Sequence, residues 1–282
     1  MTRKTALITG GTGGLGGRTA RALADAGWSV IVTGRNPAAL AEATGAGLVA
    51  KSLDLGSLRA VREFARDQPE LGAVVCNAGT QTPFGTKLTE DGFEQTFAVN
   101  HLAHFLLVQE LLPKLTDARV IFVASDTHDP RNRTGMPSPE YTDARSLAKG
   151  DDDGNGRRRY TTSKLCNVMA AYEFARHAPA GITVNAFDPG LMPSTGLARE
   201  YPGVLSLVSR YLLPALIVVP GVNAHSVGRS AKALARLVLA PELAGVSGRY
   251  FSGFREVPSS KDSYDRAKSA ELWETSRELV RA

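Results

Sequence analysis

The sequence predicts an α/β fold in which helices cover both faces of a doubly wound parallel sheet. Two observations lead to this prediction. Short apolar runs alternate with stretches of helical period over residues 5–124, and the same alternation resumes after a polar interruption at residues 129–159. Strands that are joined by helices normally run parallel, because each helix returns the chain to the same edge of the sheet through a right-handed crossover.

Each predicted element is an apolar run or periodic stretch between turn residues. In the first predicted helix, Leu15, Ala20, Leu23 and Ala24 lie on one side. Ser57 is a predicted N-cap for a helix over residues 57–67. The predicted strands are residues 5–9, 29–33, 48–55, 73–76, 119–124, 183–187 and 248–251, and the later helices are residues 160–177 and 223–239.

Length and composition fit one domain. The chain has 282 residues, and at ~150 residues per domain two domains would be a reasonable starting estimate. No linker separates two alternating halves, however, so we expect a single domain over residues 1–282.

Residues 129–159 are rich in Pro, Gly, Asp and Arg and predict a surface loop. Residues 191–222 are apolar and contain several prolines; they predict a substrate lid or, equally, a helix pair that packs on its own domain or on a second subunit.

Charge and cysteine content exclude several classes of protein. The net charge of +5 is spread along the chain, which argues against a dedicated nucleic-acid binder. Two cysteines exclude a disulfide scaffold and a four-cysteine zinc site, and no secretory signal is visible, so we expect a cytoplasmic protein. The longest apolar run, residues 211–222, is interrupted by Pro214 and Pro220, so no transmembrane span is expected.

A glycine-rich turn follows the first predicted strand and opens the first helix, with the sequence Thr9-Gly10-Gly11-Thr12-Gly13-Gly14-Leu15-Gly16. Glycines let the backbone turn sharply and approach a ligand closely. The N-terminus of the helix that follows offers free N–H groups to a pyrophosphate. The turn therefore predicts a dinucleotide site and a Rossmann-type sheet.

Tyr160 and Lys164 are four residues apart in a predicted helix, so their side chains lie on one face. A free tyrosine has a pKa near ~10, and a nearby ammonium lowers the pKa by favouring the phenolate. A decrease of ~2–3 pH units requires about 3–4 kcal/mol of differential stabilisation. A lysine in a dry pocket could contribute to this energy, which makes the pair a candidate for acid–base chemistry.

The order of these motifs resembles that of the short-chain dehydrogenase/reductase family over residues 5–252. The spacing TGxxxGxG begins at Thr9, Ser125 ends the fifth strand, and Tyr160 and Lys164 form the YxxxK element. The remaining family marks are Asn77-Ala78-Gly79 after the fourth strand, Asn100 in a helix, and Pro189-Gly190 after the sixth strand.

The resemblance implies hydride transfer between a nicotinamide and a carbonyl or alcohol. Tyr160 would be the general acid or base, Lys164 would lower its pKa and bind the nicotinamide ribose, and Ser125 would polarise the carbonyl. Asn100 would hold a water that links Lys164 to solvent. The implied cofactor-binding residues are Gly10, Thr12, Gly14, Leu15, Gly16, Asn77, Ala78, Gly79, Tyr160, Lys164, Pro189 and Gly190, with Asp54 and Leu55 near the adenine.

The end of the second strand predicts NADP(H) as the cofactor. Family members that use NAD carry an acid there for the ribose hydroxyls, whereas this chain has Gly34 followed by Arg35. A 2′-phosphate would meet no carboxylate and could pair with Arg35. Arg35 could instead stack on adenine or lie in solvent.

Three stretches resemble the branch that holds light-dependent protochlorophyllide reductases and retinol dehydrogenases: NHLAHF from Asn100, YTTSKLCN from Tyr160 and DPGLMPSTGLARE from Asp188. A bulky apolar ketone, aldehyde or alcohol is therefore the expected substrate. Cys166 falls where the protochlorophyllide enzymes have a cysteine at the pigment site, but we favour the ordinary interpretation of this residue as a small buried helix residue. Ser125 stands where those enzymes usually have another residue, which favours carbonyl chemistry.

Two alternatives remain: reduction of a pigment C=C bond, and a non-catalytic protein that senses NADP. A sensor would be expected to lack the tyrosine or the lysine, and both are present here. Family members often pair through the helices of Asn100 and Tyr160, which favours a homodimer or homotetramer, but this branch of the family also contains monomers. His101 and His104 have the spacing of metal ligands but no completing carboxylate or cysteine set, so we expect no metal, with one histidine exposed and one packed.

Overall fold

The computed structural model describes residues 4–132, 134–150, 154–192 and 223–281. Within this part of the chain, eight strands form one sheet in the order β3-β2-β1-β4-β5-β6-β7-β8. The first seven pair in parallel, and only β8 runs antiparallel, against β7. The strands are Thr5–Ile8, Ser29–Gly34, Val49–Ser52, Leu71–Cys76, Leu115–Val123, Thr183–Asp188, Tyr250–Ser252 and Arg255–Glu256.

The predicted fold class is confirmed, and the predicted elements differ from the observed ones mainly at their ends, although no helix was predicted over Pro37–Gly45. Strands β4 and β5 begin earlier than predicted, at Leu71 and Leu115, and their register shifts between Leu71 and Ala73. Strand β8 is too short and polar to have been predicted. The helices are α1 (Gly14–Asp25), α2 (Pro37–Gly45), α3 (Leu58–Arg66), α4 (Gln95–Phe97, the π-helical turn Ala98–Leu102 and Ala103–Leu111), α5 (Ala144–Lys149), α6 (Gly156–His177), α7 (Val227–Leu239) and α8 (Arg266–Leu279).

Side-chain caps fix several helix starts. Ser57 caps α3 as predicted, because its hydroxyl accepts the N–H of Ala60 at 3.2 Å. Asn36 caps α2 by accepting the N–H groups of Ala38 and Ala39. Ser226 caps α7, so that helix begins later than the predicted residue 223. The polar stretch 129–159 also contains α5, which was not predicted because its six residues are too few for a helical period to be recognised.

The sheet separates two hydrophobic clusters. On one face, Ala6, Ile8, Val30 and Val32 pack with residues of α1 and α7. On the other face, the cluster joins α3, α4, α6 and α8 and includes Phe105, Phe122 and Phe174. Burial of both faces explains why the strands are nearly continuous apolar runs.

The chain order reverses beside β1, which has β2 on one side and β4 on the other. Ligands of open α/β sheets bind in the crevice at such a switch point, outside the carboxyl ends of the strands. The motifs that follow β1, β4, β5 and β6 all emerge at this edge.

Candidate active site

The turn after β1 requires glycine at defined positions. Gly10 and Gly14 have positive φ angles of 63° and 55°, which residues with a side chain rarely adopt. A Cβ on Gly16 would lie 2.6 Å from Asn77 Nδ2 and 2.6 Å from the Gly10 carbonyl oxygen. Helix α1 therefore begins as close to β1 and β4 as its backbone allows, with Leu15 buried behind the turn.

The first turn of α1 has neither a side-chain cap nor an acidic residue. Its N–H groups are thus directed toward the crevice without a protein carboxylate or hydroxyl at the cap. Helix N-termini of this kind bind anions through N–H groups and the helix dipole.

Thr9 and the Asn77-Ala78-Gly79 segment hold the ends of β1 and β4 together. Asn77 Nδ2 donates to the carbonyl of Thr9 at 2.8 Å and to that of Gly10 at 3.3 Å. The hydroxyl of Thr9 accepts the N–H groups of Asn77 (2.9 Å) and Ala78 (3.0 Å). A Cβ on Gly79 would lie 3.3 Å from Asn100 Oδ1 and 3.5 Å from Lys164 Nζ, so this segment also adjoins the predicted catalytic residues.

Tyr160 and Lys164 lie together in α6, and both are buried, with 8% and 4% of their surfaces exposed. Lys164 Nζ lies 5.5 Å from the centroid of the Tyr160 ring and donates to the Val123 carbonyl at 3.2 Å. Burial lowers the pKa of Lys164 to about 8. The structure therefore brings a desolvated amine beside a phenol at the end of β5, as the sequence predicts.

Asn100 lies in the π-helical turn of α4 and is fully buried. Its Nδ2 donates to the Thr80 carbonyl (3.0 Å) and to Ser163 Oγ (2.9 Å), while its Oδ1 accepts the N–H of Thr80 at 2.7 Å. Ser163 in turn donates to the Tyr160 carbonyl. The Asn100 side chain therefore links the segment after β4 to the helix that carries Tyr160 and Lys164.

Ser125 is half-buried at the end of β5. Its hydroxyl donates to Asp126 Oδ1 and accepts the N–H of Thr127, both at 3.3 Å. These contacts are long for O–H···O and N–H···O bonds, so the hydroxyl can turn toward a stronger acceptor.

A carboxylate network centred on the buried Asp188 lies behind Ser125. Asp188 Oδ1 accepts the N–H groups of Asp126 (3.1 Å) and Gly190 (2.8 Å), and Asp188 Oδ2 accepts from Asn223 Nδ2 and Ser252 Oγ. Asn223 Nδ2 also donates to Asp126 Oδ2 at 3.1 Å. Burial, followed by the charge of Asp188, raises the pKa of Asp126 to about 7.

This network positions Ser125 relative to Pro189-Gly190, and sequence reasoning missed it. Asp126 and Asp188 are adjacent in sequence to predicted site residues, and that adjacency was the only available signal. Gly190 has a φ of 73°, and a Cβ there would lie 2.8 Å from the Asn223 carbonyl oxygen. The predicted lid over residues 191–222 lies outside the described residues except for Leu191 and Met192.

The residues predicted to contact the adenosine end lie at the tips of β2 and β3. Arg35 and Asp54 form an exposed ion pair of 3.7 Å, and Leu55 is buried below them. A Cβ on Gly34 would lie 2.8 Å from Thr12 Cγ2 and 2.9 Å from Thr12 Oγ1. The side chain of Thr12 thus occupies the space where an acid at position 34 would begin.

Cys166 is placed away from Tyr160 and Lys164. It is fully buried, and at 100° per residue it lies about 200° around the helix from Lys164. Burial, reinforced by the charge of Glu271, raises the pKa of its thiol. The thiol belongs to the core between α6 and α8, as the ordinary interpretation of this residue has it.

The prediction for the two histidines is wrong in one respect, because His101 and His104 are both fully buried. His101 packs between Phe97 and Phe105. Neither histidine can face solvent, because every residue of α4 from Asn100 to Val108 is buried. Among the described residues, no three His, Cys, Asp or Glu side chains form a group suited to a metal ion.

Comparisons with known proteins identify relatives over nearly the whole chain. Residues 4–136 match the profile of the short chain dehydrogenase family. Protochlorophyllide reductase B of Oryza sativa subsp. japonica is 34% identical over 99% of this chain and 78% of that protein. The WW domain-containing oxidoreductase of Danio rerio is 34% identical over 99% of this chain and 69% of that protein.

The chain belongs to the short-chain dehydrogenase/reductase family. It is thus a member of a family of oxidoreductases that use nicotinamide cofactors. A solved structure of a protein called BdcA in complex with NADPH aligns with a TM-score of 0.65 and 25% identity, covering 89% of this chain and 92% of that one. Across the described ranges, no helix has the length and apolar character needed to cross a membrane.

Proposed function

We propose that this family member transfers hydride between NADP(H) and a bulky apolar ketone or aldehyde, or the corresponding alcohol in reverse. The observation that carries the proposal is the buried Lys164 ammonium, 5.5 Å from the Tyr160 ring centroid, at the carboxyl edge of the sheet. Structural roles alone would not require two ionisable side chains to be desolvated together beside the switch-point crevice.

The residues around the crevice fit a nicotinamide dinucleotide. Added side chains at Gly10, Gly16 or Gly79 would enter tightly packed space, and the first turn of α1 has no side-chain cap. Gly10, Thr12, Gly14, Leu15 and Gly16 would surround the pyrophosphate, and Arg35 would pair with the 2′-phosphate. Asp54 and Leu55 would border the adenine, whereas Asn77, Ala78, Gly79, Pro189 and Gly190 would hold the nicotinamide end. When bound, this cofactor supplies or accepts the hydride.

In the direction of reduction, the Tyr160 hydroxyl donates its proton to the substrate carbonyl oxygen. Lys164 favours the resulting phenolate by its positive charge, and Ser125 leaves its long bond to Asp126 and donates to the same oxygen. Asn100 holds Ser163 and the segment at Thr80 in place around the pair. By the family resemblance, Asn100 would also hold the water that links Lys164 to solvent. The reverse reaction uses Tyr160 as the base.

The test is a panel of apolar ketones, aldehydes and alcohols, followed by the loss or gain of reduced-cofactor absorbance. We expect turnover, and Tyr160→Phe is expected to lower kcat at least ~100-fold, the usual contribution of a general acid. Tyr172→Phe is the matched control, because Tyr172 lies on the same helix but bonds to Ser259 in the core. Equal activity of Tyr160→Phe and wild type would refute the proposed mechanism.

Cofactor preference is tested by titrating wild-type protein with NADPH and NADH and following the fluorescence of each. We expect NADPH to bind more tightly, because Gly34 presents no carboxylate and Arg35 is exposed at the crevice. Tighter binding of NADH would contradict this assignment. Binding of NADPH without turnover of any compound in the panel would favour the cofactor sensor.

Reduction of a pigment C=C bond is the second candidate, favoured by the 34% identity with the rice protochlorophyllide reductase. The buried position of Cys166 in the core opposes a role for this thiol at a pigment. Illuminated assays with protochlorophyllide and NADPH, run beside dark carbonyl assays, separate the two candidates. Light-dependent pigment reduction without dark carbonyl turnover would establish the second.

A further inference from the structure

We propose that His104 is a positioning residue that joins the dinucleotide-binding edge of β1 to Asn100. Its ring is fully buried, and each ring nitrogen makes one hydrogen bond: Nε2 to Thr9 Oγ1 at 2.8 Å and Nδ1 to the Asn100 carbonyl oxygen at 3.1 Å. The role in the reaction rests on the proposed function, whereas the role in cofactor binding is measurable without turnover.

Counting the hydrogen bonds of Thr9 fixes the direction of the first contact. The Thr9 hydroxyl has one proton and two acceptor sites, and the N–H groups of Asn77 and Ala78 fill both acceptor sites. Its proton must therefore be donated. The candidate acceptors are His104 Nε2 at 2.8 Å and the Val75 carbonyl at 3.4 Å, of which the histidine nitrogen has much the better distance.

The second contact follows from the first. If Nε2 accepts the Thr9 proton, the neutral ring carries its own proton on Nδ1 and donates it to the Asn100 carbonyl. Burial, together with the charge of Lys164, lowers the pKa of His104 to about 4, so the ring stays neutral at ordinary pH. One tautomer satisfies both partners.

The two partners belong to different parts of the site. Thr9 holds the N–H groups of Asn77 and Ala78, which form the cradle proposed for the nicotinamide end. Asn100 holds Ser163 and Thr80 beside Lys164. Its carbonyl lies in the π-helical turn of α4, and such turns frequently mark functional sites. His104 therefore sets the distance between the cofactor cradle and the residues of proton transfer.

The chain supplies a matched control. His101 lies one turn earlier on α4, is equally buried and bonds through Nε2 to Ser276 of α8. Its surroundings are the aromatic core rather than the crevice. A change at His101 disturbs the packing of α4 but not the two contacts of His104.

Two substitutions each preserve one contact. In His104→Asn, the side-chain amide replaces Nδ1 and can still donate to Asn100, while the acceptor for Thr9 is lost. In His104→Gln, the amide oxygen replaces Nε2 and can still accept from Thr9, while the donor to Asn100 is lost. The readouts are the NADPH Kd, from fluorescence, and kcat with the best carbonyl substrate of the panel.

We expect a crossed pattern. His104→Asn should raise the NADPH Kd about tenfold with kcat within about twofold, since one hydrogen bond is lost at the cradle. His104→Gln should lower kcat about tenfold with Kd within about twofold. His101→Gln should change neither by more than about twofold, although its melting temperature falls.

Equal Kd values for His104→Asn and His104→Gln would overturn the link to Thr9, whether or not the protein turns over a carbonyl. Equal kcat values would overturn the link to Asn100. If wild-type protein reduces no carbonyl but the two Kd values differ as expected, the proposed reaction fails and the positioning role at the cofactor cradle stands.

Discussion

At the scale of single residues, burial of the Lys164 amine lowers the stability of the folded protein. Its pKa is near 8 in the folded protein, against about 10.5 for a free lysine. Below pH 8 the folded state must hold a desolvated charge, which opposes folding, and this cost disappears as the pH rises from about 8 to 10.5. Lys164, which the proposed mechanism requires, thus destabilises the folded apoprotein.

Lys164→Met should therefore stabilise the apoprotein while abolishing activity. We expect the free energy of unfolding at pH 7 to rise by about 2 kcal/mol, less than the roughly 3 kcal/mol that the pKa difference represents, because the bond to Val123 is also lost. The gain should vanish as the pH approaches 10.5. Urea unfolding at pH 7 and at pH 10 measures it, with exposed Lys232→Met as control. A less stable Lys164→Met protein at pH 7 would contradict the cost of burial.

Asp126 makes the opposite contribution to the pH dependence. Its pKa is raised to about 7 by burial and by Asp188, so the folded state loses stability as the pH rises from about 4 to 7 and the buried carboxyl ionises. Asp126→Asn should remove this slope. At pH 8 we expect the variant to be more stable than wild type by about 2–4 kcal/mol, and at pH 4 nearly equal to it.

Thermal unfolding of Asp126→Asn between pH 4 and pH 8 tests this expectation, and exposed Asp25→Asn serves as the control. Parallel curves for wild type and Asp126→Asn over this range would contradict the raised pKa of Asp126.

At the scale of elements, the turn between β1 and α1 depends on glycine at position 16 more than at position 13. A Cβ on Gly16 would meet Asn77 and the Gly10 carbonyl at 2.6 Å, whereas a Cβ on Gly13 would meet nothing within 4 Å. Gly16→Ala should force α1 away from the sheet, lower the melting temperature by several degrees and prevent NADPH binding.

Gly13→Ala is the partner variant, since Gly13 has an extended backbone that any residue can adopt. We expect its melting temperature to stay within about 2 °C of wild type, as for other substitutions in open space. Calorimetry of both variants decides the matter. Equal melting temperatures would mean that the close approach of α1 is not required.

The features that the sequence predicted best are those that leave a pattern in consecutive residues. Apolar runs located the long strands, and the motif order placed Tyr160, Lys164 and Asn77 at one edge. The Asp126–Asp188–Asn223 network could not be predicted, because its members are far apart in sequence and each has an ordinary local pattern. The π-helical turn was missed for another reason: it is only five residues long, and apolar periodicity records neither so short a change of pitch nor the hydrogen bonds of Asn100 to Thr80.

At the scale of the whole molecule, the two tryptophans report separately on the two faces of the sheet. Trp28 packs against the cluster of α1 and α7, and Trp273 packs against Phe105 and Phe174 in the other cluster. Because β1, β4, β5 and β6 contribute side chains to both clusters, we expect the faces to unfold together, as in a single domain.

Urea unfolding of Trp28→Phe and Trp273→Phe, each followed by the remaining tryptophan, measures this coupling. Each transition should coincide with that of the same variant followed by far-ultraviolet circular dichroism. A fluorescence transition that precedes the loss of helix signal in either variant would divide the chain into two folding units, contrary to the single domain proposed from the sequence.

The pairing of Leu191 with Asn223 and His225 has a consequence for how this scaffold diversifies. The Leu191 N–H donates to the Asn223 carbonyl at 2.7 Å, and the His225 N–H donates to the Leu191 carbonyl at 2.9 Å. The chain therefore leaves and re-enters the framework at almost the same point, beside Pro189-Gly190. Because these two points adjoin, the length of the sequence between them can change at little cost in loop-closure entropy, so this is a position where an insertion or exchange would disturb the described framework least.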